Sequence, residues 1–582
     1  MHRCVKTVVG LVCAAGVLIA PRANATANTA LDLVPMDAIA FVIVPNAKKT
    51  NDDLQQCLER MNRPETAFGG RPIDQMKALL GVSVAFDDNG SIALVALPPL
   101  PEGESDRLLG FVPTTDAKGF LSGNFTPLPD VSPDAYRRKD GTTIFAKGAG
   151  THVVLSNDRA TLEAFKPGAS IATAVRVRLG ARGSELLDRG DIVAWGGSQA
   201  VKRMVERASL DGANGPIPAT MPFAAQIGEA HRRALALLEG LDNGLIAIEV
   251  DPLGIGIRTF ARARDGSELA ALTAGGTNRG GTLDRLPQQR FYLAFRVDVD
   301  GAGGTSALNA LLKHVPGEPS LPGWLAASKD RLHAIQMAIF PSKLGIAAGG
   351  ILNDALLFLE TDAPDVVRGS IRDAVMAMEG ESHGVRRAPN WEANRTLKSG
   401  ETTDAFEVVE TVTQTGNAGD LAIRRGIAHA IFGGRGFVGF VKQTRGGVAM
   451  TFSQRADVLE RATNVGQLPG AGGRSLADDA TIKAYRSWLI DRADIEGFIG
   501  VGQFGKLLQQ IASMVGGVGG VGGDQPSLPQ IPASVEPIAF ALEIDKGTVE
   551  SALVIPSGVL GVFFDAAKQQ AGAPAAPVKK AE

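Results

Sequence analysis

The chain has 582 residues, with 59 basic and 62 acidic side chains, so no strong net charge draws it to nucleic acid or to an anionic membrane. Three cysteines exclude a disulfide-stapled framework, and three tyrosines with four tryptophans disfavour a carbohydrate-stacking surface. The hydrophobic fraction, 45%, is ordinary, and a chain this long buries ample core and predicts two or more domains.

Residues 1–25 read as a secretory leader. Arg3 and Lys6 supply its positive start, and Thr7–Ala20 is an apolar run of 14 residues, too short to span a bilayer. Ala23-Asn24-Ala25 is a small-x-small site, which predicts cleavage after Ala25. Gly10-Leu11-Val12 before Cys13 makes a poor lipoprotein box, so no lipid anchor is expected. No later segment is an uninterrupted apolar run of about 18 residues. The mature chain is therefore expected to be periplasmic or secreted, without a transmembrane helix. It would carry 56 basic and 62 acidic residues, a net charge of −6, and Cys57 alone of the cysteines.

Four places share one pattern, a short apolar strand and then an amphipathic helix. The strands are DAIAFVIV from Asp37, DIVAWGG from Asp191, RFYLAFRV from Arg290 and DIEGFIGV from Asp494. The helices repeat apolar residues at i, i+3, i+4 and i+7. These are Leu54, Cys57, Leu58 and Met61, then Val201, Met204, Val205 and Ala208. The third set is Leu308, Leu311, Leu312 and Val315, and the fourth is Phe504, Leu507, Leu508 and Ile511.

Two further pairs of segments match. TTIFAKGAGTHVVLSNDRATLEAF from Thr142 resembles FVGFVKQTRGGVAMTFSQRADVLERA from Phe437, each a hairpin and a helix start with Ser156 or Ser453 as expected N-cap. GLIAIEVDPLGIGIRTFARA from Gly244 and PIAFALEIDKGTVESALVIP from Pro537 each read as two strands around a tight turn. A helix is expected near Ala224–Leu241, and a flexible loop from Met514.

The fold class expected is α+β: two similar halves, each a largely antiparallel sheet with packed helices, arising by internal duplication. The halves would span residues 26–273 and 286–566, with a Gly-rich linker at 274–285 and a disordered tail at 567–582.

The opening of the mature chain, with Leu33, Val34, Pro35, Met36 and Asp37 ahead of an apolar strand and a helix, resembles a group of secreted bacterial proteins of unknown function. That resemblance implies an extracytoplasmic α+β repeat protein with no assigned activity. It transfers no catalytic or ligand-binding residues.

Apparent catalytic motifs are weighed against packing. Gly500, Gly505 and Lys506 satisfy G-x-x-x-x-G-K, but Leu507 stands where a phosphate-binding loop needs Ser or Thr for magnesium. Leu507 matches Met204, Leu311 and Cys57 in the other three helices, so it is expected to pack a core. His152, His231, His314, His333, His383 and His429 include no pair at metal-binding spacing. Asp298-Val299-Asp300-Gly301 resembles a calcium-loop start, yet Ala302 and Asn309 fall where ligands are needed, and an acidic turn is expected. Asp87-Asp88-Asn89-Gly90 reads as a turn.

Ser198 and Ser475 come nearest to G-x-S-x-G, but both strings end in alanine, and both serines are expected to cap helices. Cys57 is expected as a small buried hydrophobe. Arg203 and Lys506 hold related positions where a solvated face is favoured over an anion site. No catalytic residue, metal or organic cofactor is assigned. The leading expectation is a non-enzymatic envelope protein that binds a partner or gives structural support. The alternatives are a carrier of lipid or another apolar ligand, and an extracytoplasmic hydrolase.

Overall fold

The computed structural model describes residues 30–61, 72–99, 107–214, 232, 235–274, 280–301, 304, 328–382, 384–413, 429–434, 436–453, 455–467, 473–507, 509–510, 531–532 and 534–572. The leader, the third helix's Leu308–Val315, the loop from Met514 and residues 573–582 lie outside these residues, as does most of the helix expected near Ala224–Leu241, whereas residues 567–572, expected in the disordered tail, continue the helix Ser557–Gly572. The chain is α+β, and every strand pairing described is antiparallel. It divides into two compact units, residues 1–274 with 546–561, and residues 275–545 with 562–582.

In the first unit the strands are β1 (Ala40–Val44), β2 (Ile92–Leu97), β3 (Arg107–Pro113), β4 (Thr126–Pro127), β5 (Ala135–Arg137), β6 (Thr143–Ala149), β7 (His152–Ser156), β8 (Ile192–Gly197), β9 (Leu241–Asp251), β10 (Gly254–Ala263) and β21 (Thr548–Pro556). Across the sheet they run β4-β5-β6-β7-β3-β2-β1-β8-β9-β10-β21. One face is apolar because alternate residues of each strand point the same way. Phe41, Ile43, Val95, Leu109, Phe111, Val193 and Trp195 form the core there, under Leu31, Val34 and the helix Ala172–Arg189. The covering segment is pinned by a bridge between Pro35 and Ser170 and by the Ile171 amide donating to the Val34 carbonyl. On the other side, the helix Ala47–Arg60 begins at Asn46, whose side chain accepts from the Lys49 amide.

In the second unit the strands are β11 (Leu293–Asp298), β12 (Leu332–Ile339), β13 (Ala355–Thr361), β14 (Gly380–Ser382), β15 (Val385–Thr396), β16 (Thr402–Val412), β17 (Phe437–Thr444), β18 (Gly447–Thr451), β19 (Ile495–Ile499) and β20 (Ile538–Asp545). They run β14-β15-β16-β17-β18-β13-β12-β11-β19-β20. Leu283 and Leu286 are fully buried, Pro287 bridges Ser475, and the Leu476 amide donates to the Leu286 carbonyl.

Three details differ from the expectations. Met204 and Phe504 are 53% and 41% exposed, because each lies at the outer edge of its helix's apolar stripe, while Val201, Val205 and Leu507 are buried. Ser156 and Ser453 do not cap helices. Their hydroxyls accept from the Asp158 and Arg455 amides two residues on, and Asp158 caps the helix Arg159–Ala164. Ser475 forms a capping box with Asp478 on the 3-10 turn Leu476–Asp478, and Asp479 caps the helix Ala480–Tyr485.

Candidate functional site

The second unit buries a row of polar side chains where the first buries an apolar one. In the first unit, Ala247, Val193, Ile43, Ala93 and Phe111 are successive cross-strand neighbours. The row in the same place in the second unit's strand order is Ala541, Glu496, Arg296, Gln336 and Phe358. The ends keep their residue types, but the middle three become Glu, Arg and Gln, exposed by only 3%, 4% and 0%.

This seam is partly satisfied from the covering segments. Arg486 reaches Glu496 with two nitrogens, at 2.8 and 2.7 Å. Gln336 Nε2 donates to Asp284 Oδ1 at 2.9 Å and Glu360 Oε1 at 2.7 Å, and its carbonyl oxygen accepts from the Arg285 amide at 3.1 Å. Arg285 also lies over the Phe358 ring, 5.4 Å from its centroid.

Arg296 is less well served. Asp298 Oδ2 is 3.6 Å from Nη1, Glu360 Oε1 is 3.8 Å from Nε, and Nε has no hydrogen-bond partner. Its guanidinium lies under Gly281, where an added Cβ would be 2.5 Å from Cζ. Burial pushes the Glu496 carboxyl up to about 7 against the opposing pull of Arg486 and Arg296. The seam opens to solvent at Asp284 and Glu360, whose side chains are 53% and 26% exposed.

Two buried aspartates, Asp191 before β8 and Asp494 before β19, are placed alike. Each accepts a backbone amide from the neighbouring strand, Val250 at 3.1 Å and Ile544 at 2.6 Å. Their surroundings then diverge. Asp191 Oδ1 is 2.9 Å from Lys49 Nζ, and Asp53 Oδ2 is 3.9 Å from the same nitrogen and has no hydrogen-bond partner. Burial raises Asp191 to about 6 and Asp53 to about 7, with Lys49 opposing in both cases. Asp494 is also raised to about 6, by burial and then by nearby Asp298, Glu543 and Asp545.

The motif residues fall as follows. Gly500 closes β19, with an added Cβ 2.1 Å from the Phe291 carbonyl oxygen, so close backbone packing explains this glycine. Leu507 packs with Tyr292 and Ile346. Cys57 is fully buried, and burial pushes its thiol up to about 12. Ser198 opens the helix Ser198–Asn214. Arg203 lines a shallow groove of about 310 Å³ with Pro98, Pro99, Gln199, Lys202 and Glu206, and Lys506 is exposed on its own helix.

His152 is buried, with Nε2 2.9 Å from the Ser91 carbonyl oxygen, and burial lowers its pKa. His333 lies between Asp300 at 3.1 Å and Asp362 at 2.7 Å, which makes Asp298–Gly301 part of an acidic turn. His231, His314 and His383 lie outside the described residues. Among the described residues, no three His, Cys, Asp or Glu side chains form a group able to hold a metal ion.

Sequence reasoning missed the seam and the Lys49–Asp53–Asp191 cluster. The available signal was a charged residue inside an otherwise apolar strand, Arg296 in RFYLAFRV and Glu496 in DIEGFIGV.

No family model and no curated protein matches the chain. Crystal forms I, III and IV of TP0453 are structurally similar at 10–11% identity and a TM-score of 0.21, covering 49–50% of this chain and 96–99% of TP0453. Among the described residues no helix is long and apolar enough to cross a membrane.

Proposed function

We propose that this is an extracytoplasmic protein of the cell envelope with a non-enzymatic binding or supporting role, built from two copies of one ancestral α+β unit. In this reading the first copy is a scaffold and the second carries the recognition chemistry. Support for the duplication comes from matching strand orders around β1 and β11, from the twin Pro–Ser bridges under Leu31–Pro35 and Leu283–Pro287, and from the like placement of Asp191 and Asp494.

The observation that carries the binding role is the Arg296–Gln336–Glu496 seam. A packed core wants apolar side chains at those positions, as Ile43, Ala93 and Val193 supply in the first unit. Burying charge there costs stability, and such local departures from good packing concentrate at functional sites. The triple variant R296I/Q336A/E496V tests this. It is expected to fold with equal or greater thermal stability while failing to restore the phenotype of a strain lacking the protein. Full restoration by that variant would remove the seam from function. Turnover of an ester, amide, glycoside or phosphate substrate, stopped by one Ser, Asp or Glu substitution, would make the protein a hydrolase instead.

A further inference from the structure

Outside the seam, the first unit brings two buried carboxyl groups and a backbone donor together with an amine whose side chain is 31% exposed. Lys49, on the helix Ala47–Arg60, extends Nζ to 2.9 Å from Oδ1 of Asp191, a residue 142 positions later. The other oxygen, Oδ2, accepts the Val250 amide at 3.1 Å. Asp53, one helical turn after Lys49, sits 3.9 Å from the same Nζ. Both carboxylates are 4% exposed, and Asp53 Oδ2 has no hydrogen-bond partner.

An ion pair needs none of the extra parts. A buried carboxyl oxygen left without a donor is costly, and its retention beside a lysine–aspartate contact calls for a role. We propose that Lys49 and Asp191 condense within the folded chain to an amide cross-link between their side chains, with Asp53 moving the proton and the Val250 amide holding the carbonyl oxygen.

The atoms balance without an oxidant or co-reactant. A proton passes from the lysine to the buried aspartate, which leaves an amine beside a carboxylic acid. Burial of the aspartate favours its neutral acid form. Nζ then attacks Cγ of Asp191. The C–N bond forms, and negative charge collects on Oδ2, where the Val250 N–H already points. Asp53 takes a proton from the nitrogen and delivers one to Oδ1. The C–O bond breaks, and Oδ1 leaves as water with its two protons.

Nζ already lies 2.9 Å from an oxygen of the carboxyl group it would attack, so folding itself supplies much of the positioning that such a condensation needs. The raised Asp191 carboxyl fits the acid form this route requires, and Asp53, raised to about 7, can both take and give a proton near neutral pH. The cross-link would tie the helix Ala47–Arg60 to the residue ahead of β8, 142 positions on, in a mature chain whose single cysteine cannot form an intrachain disulfide. This inference does not depend on the seam or on the proposed binding role.

Intact-mass spectrometry and peptide mapping of the purified mature protein test it. The expected result is a deficit of one water, located in a branched peptide that joins the Lys49 and Asp191 segments. Lys49→Arg keeps the charge and should give a folded protein of full mass, and Asp53→Asn should also keep the full mass. Circular dichroism confirms that both variants fold. Separate, unmodified Lys49 and Asp191 peptides from the wild type would overturn the proposal, as would a water deficit mapped elsewhere. A branched peptide persisting in Asp53→Asn would overturn the role given to Asp53.

Discussion

Glu496 shows how one side chain reports on its surroundings. Its folded-state value, about 7, lies above the ordinary 4.5, so the fold holds the proton more tightly than the unfolded chain does. Stability from this group is therefore full below about 4.5 and is lost as pH rises to about 7. A rise from 4.5 to about 7 makes that loss on the order of 3 kcal/mol. Glu496→Gln should flatten that part of the profile, read as the wild-type minus variant difference in urea midpoints between pH 4 and 8.

Leu507 makes the opposite point, because a side chain that spoils a motif can be one that builds a core. Leu507→Ser completes the string G-x-x-x-x-G-K-S, yet it empties a contact with Tyr292 and Ile346. It is expected to cost about 2–5 kcal/mol in denaturant unfolding. Calorimetric titration with magnesium-ATP should show no binding.

At the scale of elements, β21 closes the edge of the first unit's sheet. It adds nine cross-strand pairs to the edge of β10, from Gly254↔Pro556 to Arg262↔Thr548. Glu550 fixes the register: it is buried, ion-pairs with Arg258 and lies 3.7 Å from Arg182. Thr259 and Ser551 share a 2.7 Å hydroxyl hydrogen bond beside it. Glu550→Ala leaves two arginines facing an emptied position, and a loss of about 2–3 kcal/mol is expected in chemical unfolding.

The strands themselves were legible, because apolar alternation and β-branched residues mark β1, β8, β11 and β19 without tertiary information. Where β21 would dock was not legible, since a strand's partner depends on long-range pairing rather than on local pattern. The helix faces were read with two errors, Met204 and Phe504, because a wide apolar stripe does not say which of its edges meets the sheet. The seam stayed hidden for a related reason. A lone Arg or Glu in a strand reads as a surface residue until its neighbours on three strands are known.

At the scale of the whole molecule, residues 546–561 complete a unit otherwise formed by residues before 275. A chain ending at Asp545 would leave β10 with an open edge of unpaired amide and carbonyl groups. Such edges recruit other chains. That truncation is expected to lower the first melting transition in calorimetry and to produce soluble aggregates on size-exclusion chromatography, whereas a chain cut after residue 572 should match the full-length protein in both.

The late arrival of β21 also sets an order on biogenesis. A ribosome makes some three hundred residues between β10 and the strand that seals it, the span bridged by the Arg258–Glu550 contact at a separation of 292. Until then the early sheet is unfinished and its edge is open to other chains. Maturation should be slow, as contacts this distant along the chain impose on any protein, and holding chaperones would have their strongest claim on the nascent β10 segment.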